Sequence, residues 1–254
     1  MKNLQKIFLI TSFYFCTIFS NPKIPVTVWI LTRPHNIMSY ENKRFLEESR
    51  KQSINLRFIT AQNIDLVEPI SSSKKILYKG KPTDLPDCLL IRIGANFYEK
   101  FIARVFEHLG VFIVNKTEGM QRSANKFESI QLLAENNVPI PKSMLSPLPL
   151  DKESISRHFT YPIVVKRKYG SLGSGVMLCN SEAELHKIIP FARKASVVLQ
   201  EFIKSSSGRD VRVYIVGGVA IGAMLRTAQP GEFRSNFALG GCVGPYPLDE
   251  EIKQ

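Results

Sequence analysis

The chain has 254 residues, 44% of them hydrophobic and 22% charged, and a formal net charge of +12. That length supports one large or two small cores, and the composition excludes wholesale disorder. The basic balance favours anionic partners, yet no Lys/Arg run interleaved with aromatics marks a nucleic-acid platform, and most of the charge reads as solvated surface.

Lys2 and Lys6 precede an apolar run over residues 7–19, with Ser20 before Asn21-Pro22. This is the outline of a secretory signal, although Ile18 is bulky beside a Ser20 cleavage point. The run is too short and too rich in Thr, Ser and Tyr for a membrane span. A mis-assigned start is the other reading, and it goes with the expected cytoplasmic location. Removing residues 1–20 would leave three of the four cysteines, Cys88, Cys179 and Cys242.

Residues 26–32 (VTVWILT) read as a buried strand, 41–52 as a polar helix and 56–60 (LRFIT) as a strand. Residues 71–75 are a loop, and Lys79-Gly80-Lys81-Pro82 is a turn. Residues 88–93 (CLLIRI) give another strand, 97–109 a helix stopped at Gly110, and 111–114 (VFIV) a further strand. The alternation predicts a parallel sheet with helices on its faces, a small α/β unit over residues 21–118 after an apolar segment 1–20.

The second unit, residues 119–254, opens with a helix over 123–136, with Ser123 as its N-cap. Residues 147–152 read as a loop, 161–168 as a strand, 176–179 as its return, and 196–203 as another strand. After the return strand Ser181 caps a helix toward residue 192. Residues 208–227 read as a hairpin about Gly217-Gly218, followed by a loop presenting Arg234, Ser235 and Asn236.

Scattered cysteines and histidines, without a Cys-x-x-Cys pair, argue against a zinc site and give no disulfide framework. The glycine-rich stretch 169–175 (YGSLGSG) lies between two strands. Glycines let backbone approach phosphate and serines add hydroxyl donors. Without a trailing Lys-Ser/Thr or an immediate helix it is neither a P-loop nor a Rossmann turn. Lys166, on the apolar strand just before it, is poorly placed for a simple core and well placed to reach a buried anion.

Asn125-Lys126, PIVVK ending at Lys166, GSLGSG, QEFI (200–203), GRDVRV (208–213), AMLR (223–226) and FRSN (233–236) follow one another in the order seen in ATP-grasp enzymes. The chain resembles that superfamily over residues 26–244, in the glutamate-ligase branch typified by RimK and the N-acetylaspartylglutamate synthetases. The resemblance implies an ATP-grasp fold, α+β in this second unit, behind a small α/β domain. It implies an ATP-dependent carboxylate–amine ligase, glutamate being the expected amino acid, acting through an acyl phosphate.

Residue by residue, the resemblance assigns Lys126 and Lys166 to ATP phosphates and Ser171, Gly173, Ser174 and Gly175 to the loop over them. Glu201 and Phe202 become the adenine hinge, and Asp210 the ribose acceptor. Arg234, Ser235 and Asn236 would contact phosphate or the reacting acyl group, with Arg226, Arg234 and Asn236 as the catalytic candidates. Arg212 and Arg226 are anion binders or members of structural ion pairs.

ATP with Mg²⁺ or Mn²⁺, and a carboxylate–amine substrate pair, are the implied partners; no nucleic acid is. The family's metal ligands would follow the FRSN…GG segment, and no metal ligand is expected within this chain. The expectation is therefore a C-terminally incomplete fold that binds ATP weakly and ligates poorly. A non-catalytic ATP-binding fragment is the alternative, and a basic nucleic-acid-binding module a more distant one.

Overall fold

The computed structural model describes residues 25–67, 76–93, 97–188 and 196–250. The expected loop at 71–75, the segment 1–20 and the last four residues lie outside this set. The chain divides into two compact units, Met1–Gln121 and Arg122–Gln254.

In the first unit β1 (Thr27–Leu31) pairs in parallel with β2 (Asn55–Ile59) and with β6 (Cys88–Ile91), and β6 pairs in parallel with β7 (Phe112–Val114). The order is β2-β1-β6-β7. Connections through α1 (Tyr40–Lys51) and α2 (Phe97–His108) make the parallel pairing possible. Trp29, Leu31, Ile59, Leu89, Ile102 and Phe106 are buried in one core. Phe106 is fully enclosed, and truncating such a ring costs about 3–5 kcal/mol. Beside this sheet lies a small antiparallel one absent from the sequence reading: β3 (Ile64–Leu66), β4 (Ile76–Tyr78) and β5 (Lys81–Pro82). The expected turn at Lys79-Gly80 joins its last two strands, both residues having positive φ. The Arg57 guanidinium lies 4.2 Å from the Tyr78 ring and 5.3 Å from Trp29, tying the small sheet to the large one.

Residues 117–135 form two helices rather than one. They are α3 (Thr117–Ala124), which runs through the division expected at 118/119, and α4 (Lys126–Glu135). The N-cap of α4 is Asn125, not Ser123. Its side chain accepts from the Phe127 amide at 3.2 Å and donates to Glu128 at 2.6 Å. An asparagine that competes for backbone donors breaks the helix, and a glutamate three residues on completes the cap.

The second unit holds an antiparallel sheet ordered β10-β9-β11-β8. Its strands are β8 (Ser143–Ser146), β9 (Ile163–Arg167), β10 (Val176–Cys179) and β11 (Val197–Glu201). Ile163, Val165, Cys179 and Leu199 pack there against Ile155 and Phe159. β8 and α5 (Lys152–His158), neither read from the sequence, flank the expected loop at 147–152, of which only Lys152 is helical. Asp151 caps α5 by accepting from the Glu153 amide at 3.1 Å. The helix α6 (Glu182–Ile188) begins after Ser181 as expected, and its continuation toward residue 192 lies outside the described residues.

A second antiparallel sheet joins β12 (Arg209–Val216), β13 (Val219–Thr227) and β14 (Cys242–Tyr246). Gly217 and Gly218 turn the β12–β13 hairpin with φ of 58° and 81°, a turn that needs positive φ at both central residues. The strand β14 was not read from the sequence. Among the described residues no helix is long and apolar enough to cross a membrane.

Candidate nucleotide site

Lys126 opens α4. Its ammonium donates to the Gly170 carbonyl at 2.9 Å, and its amide donates to the Lys168 carbonyl at 3.0 Å. Lys166 stands on β9 opposite Val176 of β10 and Val198 of β11. Its ammonium donates to Gln200 Oε1, and Gln200 Nε2 donates to Ser143 Oγ at 2.8 Å. Gln200 is only 7% exposed, so this chain of donors fixes the head of Lys166. Burial pushes both lysines below their ordinary pKa, and Lys126 lowers Lys166 further by charge repulsion. Two cations brought together beside a glycine loop, without a carboxylate among the causes of their shifts, form a local demand for an anion.

The loop 169–175 joins β9 to β10, as expected. Gly173 has a φ of 79°, and a Cβ there would lie 2.8 Å from Asn236 Oδ1 and 2.9 Å from Leu239. Only glycine permits both the backbone conformation and the approach of the 233–236 loop. Arg234 secures the same approach, its Nη1 donating to the carbonyls of Gly173 at 3.1 Å and Val176 at 3.4 Å. Glu232 neutralises Arg234 at 2.7 Å, and the guanidinium holds the Glu232 carboxyl down to about 2. Ser171 and Ser174 are exposed on the loop, with the Ser174 amide donating to the Ser171 carbonyl at 3.0 Å.

A second cluster forms where β12 faces β13. Arg226 lies directly opposite Asp210 and donates to both carboxylate oxygens, Nε to Oδ1 at 2.7 Å and Nη2 to Oδ2 at 2.5 Å. Buried Ser235 adds its hydroxyl to Oδ2 at 2.6 Å. The Arg226 hydrogen bonds are the main reason why the Asp210 carboxyl titrates below its usual range, with Ser235 helping and Arg212 adding charge.

At the end of β11 Glu201 accepts from the Lys142 amide at 2.7 Å, and its own amide donates to the Lys142 carbonyl at 3.0 Å. The Phe202 ring meets Phe233 edge-to-face at 6.2 Å, which brings the 201–202 segment against the 233–236 loop.

Three groupings thus emerge: Lys126, Lys166 and the glycine loop; Arg234, Gly173 and Asn236; and Asp210, Arg226 and Ser235. Sequence reasoning missed Gln200, Ser143, Asn125 and Glu232 as organisers. A glutamine inside the buried run VVLQE is a signal that was available, since a buried amide needs partners.

The RimK-like ATP-grasp domain matches residues 123–254, and the RimK pre-ATP-grasp domain matches residues 26–120. A probable alpha-L-glutamate ligase of Vibrio vulnificus is 32% identical over 227 residues, covering 87% of this chain and 74% of that protein. Two solved structures share the fold. The RimK domain protein ATP-grasp from Sphaerobacter thermophilus superimposes with a TM-score of 0.63 at 18% identity, over 82% of this chain and 76% of that one. The VanG D-Ala:D-Ser ligase of Enterococcus faecalis gives a TM-score of 0.68 at 14% identity, over 91% and 79%. This chain belongs to the RimK-like ATP-grasp family.

Proposed function

We propose that this chain is an ATP-dependent ligase that joins an acidic amino acid, glutamate, to a carboxylate acceptor through an acyl phosphate. The observation that carries the reading is the convergence of Lys126 and Lys166 on the glycine loop, with both charges disfavoured by burial and relieved by a polyanion. In this reading Lys126 and Lys166 hold the phosphates, and the backbone of 170–175 with Ser171 and Ser174 covers them. Phe202 and Glu201 flank the base. Asp210 accepts from the ribose while Arg226 and Ser235 orient it. Arg234 and Asn236 face the transferring group.

Among the described residues no three His, Cys, Asp or Glu side chains are grouped to hold an ion. In this reading Lys126, Lys166 and the backbone amides of 170–175 neutralise phosphate charge. An acceptor carboxylate oxygen would attack the γ-phosphorus with ADP leaving. The amine nitrogen would then attack the acyl carbon, phosphate would leave, and the nitrogen would lose a proton. Positioning and charge stabilisation are the main work of such a site.

The test is ADP release by the full chain with ATP, a glutamate-terminated peptide as acceptor and each amino acid in turn. Release that needs L-glutamate, with a peptide product heavier by one glutamate residue, supports the reading. Release indifferent to every amino acid removes it.

A further inference from the structure

Two cations hold the glycine loop by its carbonyls, and they differ in electrostatic state. At the near end Lys126 Nζ donates to the Gly170 carbonyl at 2.9 Å. Burial lowers the pKa of this lysine, and no carboxylate is among the causes. At the far end Arg234 Nη1 donates to the carbonyls of Gly173 and of Val176, the first residue of β10, at 3.1 and 3.4 Å. The other edge of the same guanidinium belongs to Glu232, with Nε donating to Oε1 at 3.0 Å and Nη2 to Oε2 at 2.7 Å.

A guanidinium carries five N–H donors in a rigid fork. These contacts use four of them, so Arg234 meets a transferring group with one N–H and not with a fork. Glu232 is itself fixed in place. Its Oε1 also accepts from the Arg234 amide at 2.9 Å, and its own amide donates to the Gln229 carbonyl at 3.0 Å. The next carbonyl, that of Phe233, accepts from the Gly208 amide at 3.0 Å, just before β12. The side chains of Glu232 and Arg234 are only 25% and 27% exposed.

The two holds therefore respond differently to a phosphate. Lys126 gains by leaving Gly170, because it exchanges a neutral carbonyl for a charged oxygen and its burial is compensated. Arg234 has no such gain, since it would give up an ionised carboxylate already bonded along one edge. The bonds from Arg234 hold that carboxyl down to about 2, so the pair stays charged at neutral pH.

We propose that Glu232 is a positioning residue of the nucleotide site: it commits Arg234 to the glycine loop as a standing clasp. The loop then stays anchored at Gly173 and Val176 while Lys126 lets go of Gly170 to meet the phosphates. This rests on the nucleotide site of the ligase reading. The clasp keeps the loop over a bound triphosphate, so its loss acts on how fast the nucleotide leaves and not on how fast it arrives.

The test joins amide hydrogen exchange to stopped-flow binding of a fluorescent, non-hydrolysable ATP analogue by the full chain, for Glu232→Gln, Arg234→Gln and the double variant. Glu232→Gln keeps the side-chain shape and removes the charge. Exchange across residues 169–176 is expected to rise at least tenfold in each single variant. Unchanged protection of β9 and β11 separates a released loop from a folding defect. The analogue should leave at least tenfold faster, with association within twofold of the wild type. The double variant should match Arg234→Gln, because Glu232 acts only through Arg234. Unchanged exchange across 169–176, or additive losses in the double variant, overturns the proposal. Tighter binding by Glu232→Gln also overturns it, since the carboxylate would then be competing with phosphate for Arg234. A loop released by both variants in a chain that binds no nucleotide would uphold the clasp and remove the ligase reading. Nucleotide binding with an unmoved loop would do the reverse.

Discussion

Removing the Asp210 carboxylate should destabilise the second unit through Arg226 more than through Asp210 itself. Arg226 keeps 12% of its side chain exposed, against 42% for Asp210. Loss of the carboxylate would strand a nearly buried guanidinium and free the Ser235 hydroxyl. A fully buried cation left alone costs about 3–5 kcal/mol, whereas exposed pairs are worth about 0–1 kcal/mol. The half-exposed acid places Asp210→Ala between these limits, at about 2–3 kcal/mol. A double-mutant cycle with Arg226→Met should give a coupling of about 1–2 kcal/mol, because removing both partners strands neither. Urea unfolding followed by circular dichroism measures all four corners. The Asp210 carboxyl is depressed below its ordinary 3.8 in the folded chain. Its contribution is therefore fully present above that value and lost as pH falls through the lower folded value. A coupling below about 0.3 kcal/mol at neutral pH, or one unchanged at the acid limit of folding, would refute the assignment of this pair.

Other substitutions test the neighbouring contacts. Gly173→Ala and Gly218→Ala both force positive φ on alanine, at a cost of about 1–2 kcal/mol each in thermal or urea unfolding. Only Gly173→Ala also pushes Asn236 and Leu239, so only it should weaken ATP at least tenfold in calorimetry. Asn125→Ala should cost about 1–2 kcal/mol in urea unfolding by removing a buried cap, and should weaken ATP through the displaced Lys126. Lys166→Met relieves a disfavoured charge but leaves Gln200 Oε1 without its donor. The opposed effects should hold the thermal midpoint within about 2 °C while ATP affinity falls at least tenfold.

Legibility followed the range of the interactions. The runs VTVWILT and CLLIRI in the first unit and VVLQEFI in the second are β-branched and apolar enough to read as strands, and the alternation of strands with helices over residues 21–118 predicted the parallel sheet of the first unit. The hairpin at Gly217-Gly218 was equally plain, since two glycines at a tip between apolar runs admit few other backbones. What stayed hidden depended on partners far along the chain. The strand β8 (SMLS) has little apolar signal of its own and exists because β11 pairs with it. The strand β14 carries Gly244 and Pro245 and is held by β13. Ser123 was read as the cap, and Asn125 takes that place through its side-chain bonds to Phe127 and Glu128. At the site, the ordered motifs pointed to most of the groups that converge. That Arg234 would be engaged by Glu232 and Gly173, and Arg226 by Asp210, is information only the folded loops contain.

The most direct test of the account is calorimetric titration of the full chain with ATP, beside Lys126→Met, Lys166→Met and the double variant. The account predicts saturable one-to-one binding by the wild type, at least a tenfold loss in each single variant, and no measurable binding in the double variant. Undiminished ATP binding by the folded double variant would contradict it.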